Sequence, residues 1–117
     1  MPSIVDFSGE SQVVVKYQDR KSKDVWEFEC DLPTTRMKSK AVKAAQNKRG
    51  GGMDLVLWNK SIFEQCVQGW NLDEECTTAN KAKFFADDSP GLNVIGEEVV
   101  NSLLEFGKEE EAKIEGN

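Results

Sequence analysis

The chain has 117 residues, a formal net charge of −6, 38% hydrophobic and 31% charged residues, and no histidine. That length is one domain, able to bury roughly two-thirds of its unfolded surface. The missing histidine removes Ser-His-Asp and Cys-His catalysis and histidine metal ligands, which leaves carboxylates, Lys, Tyr17 and Cys as candidate reactive groups.

Residues 1–11 read as extended, with Ile4, Val5 and Phe7 able to dock on a core. The start lacks basic residues and an apolar run, so it is no signal peptide. No apolar stretch approaches the ~20 residues of a membrane span, and a cytoplasmic location is expected. Residues 12–18 are β-branched and aromatic, which predicts a strand. After the polar turn 19–23, residues 24–30 alternate: Trp26, Phe28 and Cys30 to one face, Glu27 and Glu29 to the other. The two strands are expected to form a hairpin, which needs helices to cover its apolar face.

Leu32-Pro33 ends the second strand, and Thr34 or Thr35 caps a helix over Arg36–Lys48. Its polar side holds Arg36, Lys38, Lys40, Lys43 and Lys48 without one acidic residue. Such a face suits a partner, or nucleic acid through residues 36–49. It is equally a solvated face turned to the acidic C-terminal helix. The absence of interleaved aromatics and a pI near 4.7 argue against nucleic acid. Gly50–Gly52 reads as a hinge, since it lacks the Lys-Ser/Thr of a phosphate loop.

Met53–Leu72 is the expected spine. Leu55, Trp58, Ile62, Cys66 and Gly69 form one row at helical spacing, and Val56, Asn59, Phe63, Val67 and Trp70 form the next. Gly69 and Asn71 offer its stop. The loop 71–77 carries Asp73, Glu74 and Glu75 without the alternating ligands and glycine of a calcium loop. Thr77 or Thr78 caps a short helix over Ala79–Ala86, with Phe84 or Phe85 locking it to the spine. After a turn or cap at 87–91, Leu92, Ile95, Val99, Leu103 and Phe106 give the seam of a last helix to about Glu111. The domain spans 1–107, and 108–117 is an acidic tail expected to fray.

Cys30, Cys66 and Cys76 are odd in number and contain no Cys-x-x-Cys pair, so neither a disulfide framework nor a zinc site is expected. No cofactor fingerprint is present. The predicted fold is α+β, an N-terminal antiparallel β-hairpin packed on a small bundle of three to four α-helices. Three tryptophans and six phenylalanines either fill this core or leave a surplus for a binding face or dimer interface. Candidate partner-binding residues are Trp58, Phe63, Trp70, Phe84 and Phe85, with Arg36, Lys40 and Lys43.

The order of parts resembles the tail assembly chaperones of long-tailed bacteriophages. It runs through Leu32-Pro33, then Trp58 to Trp70, the acidic loop Asn71–Glu75, Thr77-Thr78-Ala79-Asn80, Leu92–Phe106 and a Glu-rich end, Glu109–Glu111. The loop after Trp70 departs from that pattern in lacking Gly and Pro. The resemblance implies a non-catalytic protein that binds the tape measure protein, keeps it soluble during tail assembly and is absent from the virion. It also implies the major tail protein as a further partner, self-association, and a longer product made by frameshifting. A structural head–tail connector or tail completion protein, and a nucleic-acid-binding regulator, are the competing readings.

Overall fold

The structure is a computed structural model that describes residues 12–46 and 52–115, with side chains as far as residue 108. The expected docking of Ile4, Val5 and Phe7 and most of the expected hinge, Gly50–Gly51, lie outside the described residues. Gly52 is described and has φ +100°, a left-handed value natural to glycine.

Strand β1 (Gln12–Gln18) pairs antiparallel with β2 (Val25–Asp31), with Val15 opposite Phe28 and Tyr17 opposite Trp26. The alternation works as expected: Val15, Phe28 and Cys30 are buried, while Val14, Lys16 and Glu29 face out. The Asp19 carboxylate accepts from the Lys21 amide (3.0 Å) and the Ser22 hydroxyl (2.8 Å) and so shapes the turn. Those bonds hold its pKa below the usual value.

Helix α1 (Thr35–Ala45) opens on Thr34, whose hydroxyl accepts from the Met37 amide at 3.2 Å. It stops three residues short of the expected Lys48, because Gln46 turns extended and bridges to Met53. Ala41 and Ala45 are fully buried; side chains this small let α1 lie close on the next helix.

That helix, α2 (Leu55–Cys66), is capped by Asp54, whose carboxylate accepts from the amides of Val56 (2.9 Å) and Leu57 (3.3 Å). The expected spine to Leu72 is corrected here. The helix ends at Cys66, and Val67–Trp70 forms β3, antiparallel to β2, giving the sheet order β1-β2-β3. A hairpin alone would leave one edge of β2 with unpaired backbone groups beside the core, and β3 satisfies them. Val67 and Trp70 fit both the helical step and the strand, so periodicity alone did not separate the two. Gly69 belongs to this strand rather than to a helix stop. A Cβ there would sit 3.1 Å from the Glu29 carboxylate.

Thr77 caps α3 (Thr78–Ala82), which tightens into a 3₁₀ turn over Lys83–Phe85. The long helix α4 (Pro90–Glu115) begins earlier and runs further than its expected bounds. Its seam, Ile95, Val99 and Leu103 with Val100 alongside, is buried against the sheet and α2. The fold is thus α+β, with a three-stranded antiparallel sheet and four helices among the described residues.

Gly96 lies where α4 passes the 3₁₀ turn. A Cβ there would come 2.9 Å from Phe85 Cζ and 3.3 Å from Phe84 Cβ. Gly96→Ala gains about 1 kcal/mol of helix propensity. Overpacking of this kind costs about 1–3 kcal/mol. Net destabilisation is expected in urea unfolding, against the stabilisation that propensity alone would give.

Candidate protein-interaction surfaces

The core is an aromatic cluster centred on Phe84. Its ring centroid lies 5.0 Å from Phe63, 5.5 Å from Trp70, 5.9 Å from Phe28 and 6.3 Å from Trp26. Its contacts with Trp26 and Phe28 are edge-to-face, the arrangement that adds stabilisation beyond burial, and those with Phe63 and Trp70 are tilted. Phe85 touches the spine helix too, at 5.4 Å from Phe63, so both phenylalanines lock the 3₁₀ turn to α2.

This geometry sorts the sequence-predicted partner residues. Phe63 and Phe84 are buried and offer no surface to a partner, because the aromatic cluster itself consumes it. Phe85, Trp58 and Trp70 are half-buried against the core. The α4 seam is core as well, and of it Phe106 alone is exposed. Arg36, Lys40 and Lys43 are exposed on α1, and no described residue forms an ion pair with them.

The large apolar side chains in the open lie elsewhere. At the start of α2, Leu55 is 65% exposed, Val56 56% and Leu57 42%, and Met53 beside them is 43% exposed. The amide of Asp54 donates to the carbonyl of Ala45 (2.8 Å), which closes the α1–α2 pair at this end. Val42, one turn before Ala45, is also exposed. The result is a run of aliphatic side chains at the tip of a helical hairpin. A signal for it was present in the sequence. Three consecutive residues of a helix span about 200° of its circumference, and one buried face cannot take all three. Leu55 continues the buried stripe of Ile62 and Cys66, but it reaches past the part of the core that covers them.

A concave feature lies elsewhere and has no signal in the local sequence pattern. A cleft of about 580 Å³ opens between the start of β2 and the loop after β3. Trp26, Trp70 and Phe84 line it, with Asp24, Asp73 and Glu74 among its polar groups. Asn71 builds the cleft by continuing the ladder beyond Trp70. Its amide donates to the Glu27 carbonyl (3.2 Å), its side-chain oxygen accepts from the Glu27 amide (2.9 Å), and its side-chain nitrogen donates to the Val25 carbonyl (3.0 Å). The Trp70 indole donates to the Glu74 carbonyl at 2.6 Å, which fixes the loop at the N–H edge of the ring.

The thiols are chemically quiet. Burial pushes Cys30 and Cys66 up to about 12 from an ordinary value of 9.0. Cys76 is raised by partial burial as well. A protonated, enclosed thiol is a poor nucleophile. At neutral pH a maleimide is expected to label Cys76 first, and Cys30 and Cys66 only after unfolding; rapid labelling of all three in the folded protein would contradict this burial. Among the described residues every fully buried side chain is apolar, and no helix is long and apolar enough to cross a membrane.

Comparison with protein-family models, with curated proteins and with solved structures found no match to this chain.

Proposed function

We propose that this chain is a non-catalytic chaperone that holds an apolar, helical segment of a client protein at the α1–α2 tip. The observation that carries this reading is the exposed run Met53, Leu55, Val56 and Leu57, with Val42 also exposed on α1. An amphipathic helix meets such a surface with side chains at helical spacing. Following the resemblance to the tail assembly chaperones of long-tailed phages, the client is the tape measure protein of the same genome.

Magnitudes favour a transient hold. Full burial of an aliphatic side chain gains about 1.5–3 kcal/mol, and these are already partly covered. Association costs about 4–15 kcal/mol in lost freedom. A few aliphatic contacts therefore give weak, reversible binding. That suits a protein that keeps a client soluble and then gives it up to the polymerising tube.

The test is co-expression with a tape measure fragment from the same genome, sized by light scattering. A soluble complex, from a fragment that is insoluble alone, supports the chaperone. An insoluble fragment, with this chain eluting by itself as a closed ring, overturns it and favours the connector.

A further inference from the structure

The charges of this chain are segregated, and the segregation pairs two surfaces that one copy cannot bring together. Helix α1 carries Arg36, Lys38, Lys40 and Lys43 and no acidic residue. Since the whole chain is at −6, everything outside α1 is more negative still. Arg36, Lys40 and Lys43 recur at i, i+4 and i+7, which places them in one row about 10 Å long, turned away from the buried Ala41 and Ala45.

The cleft has the complementary character. Its floor carries the half-buried rings of Trp26 and Trp70, and Asp24, Asp73 and Glu74 stand against one lining cation, Lys83. None of those three carboxylates is in an ion pair with a described residue. Aromatic faces bordered by carboxylates suit the ammonium and guanidinium groups of Lys and Arg, whose aliphatic stems lie on the rings. The volume is in the range of pockets that enclose a ligand group.

The chain's own α1 does not fill it. The helix follows the Asp31 end of β2, whereas the cleft is lined by Asp24, Val25 and Trp26 at the other end, about 20 Å away along the strand. No α1 residue lines the cleft. For a second copy, most approaches set acidic surface against acidic surface. The contact of α1 with the cleft reverses the sign, and the cleft's rings add a seat for Lys and Arg stems.

We propose that the cleft receives the Arg36, Lys40 and Lys43 row of a second copy, in a head-to-tail contact that joins the Trp26–Trp70 cleft of one chain to α1 of the next. The two surfaces differ, so the contact is heterologous and leaves a free cleft and a free helix at the ends unless the chains close into a ring.

Charge exchange tests this on the full-length protein by light scattering and sedimentation. Wild type is expected to gain mass with concentration at about 50 mM salt and to lose that gain at about 500 mM, where the screening length falls well below the reach of exposed charges. Asp73→Lys/Glu74→Lys and Lys40→Glu/Lys43→Glu are each expected to stay monomeric, and an equal mixture of the two is expected to associate again. All four positions are exposed, and circular dichroism checks that both variants are folded. A wild type that remains monomeric at every concentration overturns the proposal. So does association that survives the cleft variant, or a mixture that fails to regain it. None of these outcomes depends on a tape measure client, so this contact can fail while the chaperone reading stands, and the reverse.

Discussion

Phe84→Ala is expected to lower the unfolding free energy by about 3–5 kcal/mol, the range for a large aromatic deleted from a packed interior. Domains of this size hold about 5–15 kcal/mol in total, so the loss takes a large share. The reason is position. Phe84 is 3% exposed and touches rings from β2, α2 and β3, namely Trp26 and Phe28, Phe63, and Trp70. Its own carbonyl accepts from the Asn93 side chain at 2.8 Å, which ties the turn to α4. Truncation therefore opens a cavity where all the layers meet, and rings held in several directions cannot collapse to fill it. Phe106→Ala, at an exposed position on α4, provides the comparison, with an expected change within about 0.5 kcal/mol. Urea unfolding of both measures the contrast. Equal costs at the two positions would mean that Phe84 is not the hub of the core.

Leu55→Ser together with Leu57→Ser is expected to have the opposite profile. Both side chains are exposed in the free protein, so stability should move by about 0.5 kcal/mol or less per site. If the tip holds a client, the loss appears in binding. Removing two contacts worth about 1 kcal/mol or more each weakens a complex by about thirtyfold or more. The soluble yield of a co-expressed tape measure fragment should fall accordingly, with this chain's own yield and unfolding curve unchanged. Full retention of the client by this variant would remove the tip from the account.

How far the sequence could be read depended on whether one period or two explained a stretch. The alternation at 24–30 and the β-branched, aromatic run at 12–18 were legible, and both strands fold almost as expected. The caps at Thr34 and Thr77, each the first of two candidate threonines, were legible from residue type. The lock at Phe84 and Phe85 and the α4 seam were legible from apolar spacing. Strand β3 was not, because Val67 and Trp70 satisfy a helical row while the edge of β2 that selects the strand lies far away in sequence. The same limit hid the cleft. Asn71 brings an acidic loop onto the start of β2 through bonds spanning more than forty positions, which no local pattern records.

The candidate site divides along the same line. The basic row on α1 was visible, since charge at helical spacing needs no tertiary knowledge. The aromatic candidates were chosen for their enrichment in interfaces, but the same bulk that anchors partners also fills cores, and here the core took Phe63 and Phe84. The tip escaped notice because Leu55 and Val56 belong to rows that are buried further along α2.

A client held at the α1–α2 tip, as proposed, shields the amides there from exchange. Amide hydrogen exchange of this chain, alone and in complex with a tape measure fragment, tests it most directly. Amides are compared segment by segment. The account predicts slowed exchange at residues 53–58 and around Val42, with the strands little changed. Slowing around the Trp26–Trp70 cleft or along α4, with residues 53–58 exchanging as in the free chain, would contradict it.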